Sequence, residues 1–324
     1  MGALKNIVAA AGLLAAAGIG ETVYFYNRTM KRGKAKTERT MKMAGTDWEK
    51  YFPLMEERKG YVMAQPHRDV YTTSFDGLKL HATYFPAAGT SDIRKAVICF
   101  HGYTGEGLSN HIAIADYFLK HGYAMLLPDA RAHGESEGEY IGFGCLDRQD
   151  ALGWIKWLIQ ECGKDVEIML HGTSMGGATV LMASGLDLPD NVRGIVADCG
   201  FTSPKEVFTH VLNHMYHLPA FPAIQGADLM NRRFAGYGMD ECNAKYEVEK
   251  AKVPILFIHG SADTFVPCSM CHEIYRHCSS PKRKLIVEGA AHAESYYKDM
   301  KAYEQALDEF AEDIFQTAGN EYRM

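Results

Sequence analysis

The chain has 324 residues and a mass of 36.1 kDa, with 47% hydrophobic and 23% charged residues. These values fit a folded globular body and exclude a disordered, collagen-like or many-span membrane chain. The net charge of -6 and pI near 6.2 argue against nucleic acid as a partner, since a general nucleic-acid binder carries a basic stripe and usually a pI above about 9.

The charge is unevenly placed. Residues 1–42 carry eight Lys/Arg against Glu21 and Glu38, which leaves +6 there and -12 on the rest. From Ile7 to Gly20 the sequence is uncharged and rich in Ala, Leu and Gly, and the aromatic cluster Tyr24, Phe25, Tyr26 follows. Counted from Ile7 through Tyr26 the stretch has twenty residues, which suits one crossing of a bilayer core of about 30 Å, with the aromatics at an interfacial belt and Glu21 near one end. The reading is an N-terminal membrane anchor over 1–27 and a basic, helical linker over 28–65. Basic residues from Arg28 to Lys42 then orient the body toward the cytoplasm. Two alternatives are a cleaved signal peptide, with an exported or cell-surface body, and a peripheral amphipathic helix. A signal peptide places its charge before the apolar run, whereas here the charge follows it.

The catalytic body is expected over 66–324. DVYTTSF and LKLHATYF alternate apolar and polar residues around Asp76-Gly77, the pattern of a β-hairpin. Apolar strand runs then occupy 95–100, 123–128, 166–171, 192–198, 254–259 and 284–288. Helical patterns lie at 110–120, 147–161, 175–184, 267–278 and 300–316. Fully apolar strands alternating with helices predict an α/β fold, a parallel sheet with helices on both faces. Such sheets bind ligands beyond the carboxyl ends of their strands.

Immediately after the run at 166–171 stands Gly172-Thr173-Ser174-Met175-Gly176, followed by a helix of small residues. A G-x-S-x-G turn between strand and helix presents a strained, exposed serine as a nucleophile, here Ser174. Serine needs a base, and His292, in a loop of small residues after the last strand, is the expected one. His101, His171 and His259 each precede a glycine at a strand end and read as packing beneath the site. Asp263, after the penultimate strand, is the expected acid that holds the imidazole; Asp198 competes with it. The oxyanion formed on attack needs two fixed N–H donors, expected from the backbone of Met175 and Tyr103.

The blocks DGLKLHA, CFHGYTGEG, PDARAHGESEG, GTSMGGATV, IHGSADTFVP and EGAAHAESY resemble those of serine α/β-hydrolases from about residue 66 onward. Within that superfamily the chain is similar to membrane-anchored, esterase- or peptidase-like hydrolases of Gram-positive bacteria. The resemblance implies an eight-stranded, mostly parallel sheet with a lid insertion after strand 6, and ester or amide hydrolysis. The lid falls at about 200–250, where aromatics and methionines cluster, and an apolar acyl or aromatic pocket is expected. Ala132 stands where the commoner R-G-H-G pattern has glycine.

The expected activity is hydrolysis of small or medium carboxylic esters through an acyl-enzyme, with a small-molecule substrate and no cofactor or metal. A peptidase-like amide hydrolase is the nearest alternative. A catalytically silent, membrane-tethered scaffold is the other, and the complete set of site residues speaks against it. Two motifs compete for a metal or haem: His210, His214 and His217 at helical spacing, and Cys268-x-x-Cys271-His272. The scattered spacing of the eight cysteines suggests free thiols in a reducing compartment.

Overall fold

The apolar runs become the strands of one eight-stranded sheet. The structure, a computed structural model, describes residues 20, 22–33, 46–87 and 95–315. In chain order the elements are α1 (Phe52–Ala64), β1 (Arg68–Thr73), β2 (Lys79–Phe85), β3 (Lys95–Phe100), α2 (Gly107–Lys120), β4 (Ala124–Pro128), α3 (Asp147–Cys162), β5 (Glu167–Thr173), α4 (Met175–Ala183) and β6 (Val192–Asp198). After these come α5 (Pro204–His210), a π-helical turn (Val211–Met215), α6 (Ala223–Phe234), α7 (Ala244–Val248), β7 (Ile255–Gly260), α8 (Cys268–His277), β8 (Lys282–Val287), α9 (Ser295–Lys298) and α10 (Met300–Phe315). The strand order is β1-β2-β4-β3-β5-β6-β7-β8. Only the pairings of β2 with β1 and β4 are antiparallel, so the fold is the α/β-hydrolase fold.

The central strands are apolar throughout because both faces are covered. Ile98, Leu126, Leu170, Ile195 and Phe257 point into one core, together with Trp154 of α3 and Met182 of α4. Their neighbours Val97, Met125, Met169, Val196 and Leu256 point into the other, with Phe118 of α2 and Phe310 of α10. Edge strand β8 departs from this pattern. It carries Lys282, Arg283 and Lys284, charges that discourage pairing with another sheet edge.

The polypeptide ahead of the sheet corrects the expected membrane anchor. Among the described residues no helix is long and apolar enough to cross a membrane, so the localisation built on such a span does not stand. Residues 7–19 and 21 of the expected span lie outside the described residues. Residues 22–29 are helical, and two of the three aromatics assigned to an interfacial belt pack on protein instead. Tyr26 is fully buried beside Tyr140 and Phe234, and the ring of Phe25 meets that of Phe208 edge-on at 5.7 Å. Beyond the helix, Ile141 donates to the Met30 carbonyl, and Arg32 N–H to that of Glu139. The helix lies so close to α6 that a Cβ on Gly226 would stand 2.6 Å from the Thr22 methyl.

Residues 46–64 also pack on the body. Arg58 of α1 bridges to Asp116 of α2 at 3.1 Å, and donates to the Ala113 carbonyl and the Tyr296 hydroxyl. Trp48 and Tyr51 pack on Tyr297. Both contacts tie this stretch to the segment that follows His292.

Candidate active site

The loop from β5 to α4 is forced into its shape by what surrounds it. Ser174 has φ +57, a conformation costly for a residue with a Cβ. A Cβ on Gly176 would collide with the carbonyl of Phe100 at the end of β3, so only glycine lets α4 start this close to the neighbouring strand. The resulting turn carries Ser174 above the sheet, with its N–H bound to the Asp198 carbonyl at 2.8 Å.

Ser174 Oγ lies 2.7 Å from His292 Nε2, and His292 Nδ1 lies 2.7 Å from Asp263 Oδ2. All three residues are buried. The other carboxylate oxygen of Asp263 accepts the N–H groups of Phe265 and Val266, each at 2.9 Å. His259 adds a second imidazole, with Nε2 3.3 Å from Asp263 Oδ2 and 2.8 Å from the Val266 carbonyl. Burial opposes charge on Asp263. The field of His292 and the hydrogen bonds from both imidazoles outweigh it and hold the carboxyl below the usual carboxylate range.

The competing acid, Asp198, is not brought to His292 as a hydrogen-bond partner. Burial raises its pKa to about 6, and its Oδ2 accepts the Tyr303 hydroxyl at 3.2 Å. Tyr303 also meets His171 Nε2 at 2.9 Å. His101 Nε2 accepts the Ala130 N–H at 2.9 Å. These histidines pack beneath the site, as expected, but His259 reaches further and binds the acid itself.

In the loop after β3, Gly102, Thr104 and Gly105 donate to Asn110 Oδ1, His133 Nε2 and the Gly102 carbonyl. The Tyr103 N–H between them has no acceptor among the described residues. Met175 is the first residue of α4, so its N–H has no partner within the helix. Both N–H groups are thus available, and the positive end of the α4 dipole adds to the second.

Ala132, the residue in a glycine position, has φ +62. The backbone there is left-handed, which explains why glycine is commoner. Beside it, buried Arg131 pairs with Asp150 at 2.7 Å and Asp76 at 2.9 Å. Asp129 binds His81 and the N–H groups of Gly107 and Glu135. Burial opposes its charge, but these donors lower its pKa to about 2.

A cavity of about 1070 Å³ opens at Ser174. The expected lid over 200–250 supplies Phe201, Val207, Phe208 and Leu212 to its wall, and Phe143 and Phe265 add further aromatic surface. Tyr237 and Met239 from the same insertion belong to the packed core, whereas Phe221 is exposed. The residues ahead of the sheet were the part of the wall that sequence reasoning missed: Tyr24, Phe25, Arg28, Lys31 and Arg32 also line the cavity. Arg32 is held by the carbonyls of Gly134 and Ser136, and Lys31 by Glu139.

Neither metal motif assembles. His210 and His214 stack at 4.3 Å, but the helical turn ends at Met215 and His217 lies beyond it with φ +54. Cys268 Sγ lies 3.7 Å from His272 Nε2, but among the described residues no third ligand atom gathers with this pair. The atoms of Cys199, Asp263 and His292 that could hold a metal lie within 4.8 Å of one another. Burial keeps the Cys199 thiol well above its ordinary range, and Asp263 and His292 are already bound to each other.

Comparison with known proteins agrees with this fold. A family model described as alpha/beta hydrolase fold matches residues 95–215, and one described as serine hydrolase (FSH1) matches residues 169–293. The chain belongs to the serine α/β-hydrolase superfamily. It is similar to the uncharacterized protein YqkD of Bacillus subtilis, 29% identical over 251 residues that cover 74% of this chain and 82% of that one. Among solved structures, an esterase from Pyrococcus furiosus superposes with a TM-score of 0.64 at 22% identity, over 78% of this chain and 92% of its own. Est1E from Butyrivibrio proteoclasticus, with ferulic acid bound, superposes with a TM-score of 0.58 at 19% identity, over 76% and 100% of the two chains.

Proposed function

We propose that this hydrolase cleaves carboxylic esters through an acyl-enzyme formed on Ser174. The observation that carries the reading is the unbroken hydrogen-bond chain from Ser174 Oγ through His292 to Asp263, with Ser174 in the wall of a cavity rich in apolar side chains. In the proposed reaction Ser174 Oγ attacks the ester carbonyl carbon as His292 Nε2 takes the hydroxyl proton. Asp263 holds the imidazole with Nδ1–H toward it and stabilises the imidazolium. The negative charge passes to the carbonyl oxygen, where the N–H groups of Tyr103 and Met175 receive it. Collapse breaks the bond to the alkoxy group, and His292 returns the proton so that the alcohol leaves. Water then repeats the sequence on the acyl-enzyme, releasing the acid and restoring Ser174.

The apolar wall supports an acyl or aromatic group as the part of the substrate that is buried. Names of structural neighbours, an esterase and an Est1E complex with ferulic acid, point the same way. A peptidase would need donors and acceptors placed for a peptide backbone; the aromatic and aliphatic part of the lining supports the ester, and two of the cations in the wall, Arg32 and Lys31, are engaged by the Gly134 and Ser136 carbonyls and by Glu139.

The test compares the full chain with Ser174→Ala on p-nitrophenyl butyrate. The parent is expected to turn over, and the variant to lose about 10⁴- to 10⁶-fold in kcat, as removal of such a nucleophile does elsewhere. Equal turnover by the two proteins would refute the assignment.

A further inference from the structure

We infer that the helix ahead of the sheet, residues 22–29, is a wall of the substrate site and that Phe25 sets the length of acyl chain the enzyme accepts. The inference rests on the ester reading above and concerns the same cavity.

The observations form a closed circuit. The ring of Phe25 meets Phe208 of the lid at 5.7 Å, Phe208 meets Phe143 at 4.9 Å, and Phe143 stacks on Tyr103 at 5.3 Å. The Tyr103 hydroxyl then returns to the helix, donating to the Thr29 carbonyl at 3.1 Å. Four segments distant in sequence are therefore joined by ring contacts and one hydrogen bond around the cavity that holds Ser174, and all four aromatic residues line it. Tyr26 and Met30, on the neighbouring face of the same helix, are fully buried and fix the helix to the body. Phe25 is left only partly buried against the core, and its ring lines the cavity.

The size of the space gives this ring a consequence. Sites for drug-sized ligands run from roughly 300 to 1,000 Å³, and this one is about 1070 Å³, far more than a short acyl group fills. A longer chain must run along the aromatic wall, where each methylene buried adds roughly four-fold in binding. The Phe25 ring then decides where the apolar run stops. The substrate class that follows is an ester of a medium or long aliphatic acid.

The test measures kcat/KM for p-nitrophenyl butyrate, octanoate and laurate with the full chain and with Phe25→Ala, Phe25→Leu and Phe25→Trp. Removing the ring should raise the laurate-to-butyrate ratio by about 10-fold, the scale on which a hydrophobic pocket discriminates chain length. Phe25→Trp should lower it, and Phe25→Leu keeps the test available if the alanine variant does not fold. Labelling of Ser174 by a fluorophosphonate is measured in parallel. Variants that label like the parent yet keep its chain-length ratio within two-fold overturn the proposal. Failure of the parent itself to label, or to cleave any ester, overturns the ester reading instead.

Discussion

The strand-end loops that carry Ser174, Asp263 and His292, and the polypeptide ahead of the sheet, converge on one site by different physics. The loops are dictated locally. Gly176 permits close approach to the Phe100 carbonyl, and Asp263 sits at the end of β7, where neighbouring N–H groups bind its carboxylate. Residues 22–33 and 46–64 act only through long-range contacts. Thr46 donates to the His292 carbonyl at 2.8 Å, and Lys50 and Tyr51 bind Glu294, whose other oxygen accepts the Ala291 N–H. The loop that presents the imidazole is thus held from outside the sheet. The difference teaches that the candidate triad belongs to the sheet, while one part of the cavity wall and the outer support of the His292 loop come from the chain that precedes it.

Asp263→Asn breaks the loop side of this comparison. Loss of the carboxylate favours the wrong imidazole tautomer, and kcat is expected to fall about 10⁴-fold with little change in fold, checked by ester kinetics and circular dichroism. A loss of ten-fold or less would mean that Asp198 serves in its place.

Asp129 tests the buried polar frame that carries the cavity loops. Its folded pKa of about 2 lies below the unfolded value of about 3.9. The carboxylate therefore stabilises the fold fully above about pH 4, and the contribution disappears as pH falls toward 2. Asp129→Asn should cost about 2.6 kcal/mol at pH 7, from a gap of about two pKa units, and the cost should shrink by pH 3. Denaturant unfolding at both pH values measures this. A difference that grows on acidification contradicts the assignment.

Tyr103→Phe breaks the tie from the N-terminal helix to the proposed oxyanion loop while keeping the backbone N–H. A lost neutral hydrogen bond of about 1 kcal/mol predicts a fall in kcat of about five-fold, with KM nearly unchanged. An unaltered kcat would mean that the helix shapes the pocket without positioning the donor.

The sequence made the candidate triad legible because each of its residues lies beside its own strand: Ser174 in its glycine frame, Asp263 after the run at 254–259, His292 after the run at 284–288. The sheet was equally readable, since burial on both faces leaves the strands apolar throughout. The N-terminal helix was not. Tyr26 and Met30 share a buried face at a spacing of four, but an uncharged run of Ala, Leu and Gly stands directly before them, and its length matched a bilayer crossing. The Asp76–Arg131–Asp150 cluster was missed for a related reason: its members are far apart in sequence, and nothing local marks them as partners. His259 resembled His101 and His171, each before a glycine, and only the turn after β7 shows that it shares Asp263 with His292.

The most direct measurement is intact-mass and peptide-mass analysis of the full chain after treatment with a fluorophosphonate. A single adduct is predicted, located on Ser174, absent from Ser174→Ala and strongly slowed in Asp263→Asn. An unmodified parent protein, or an adduct on another residue that persists in Ser174→Ala, would contradict the account.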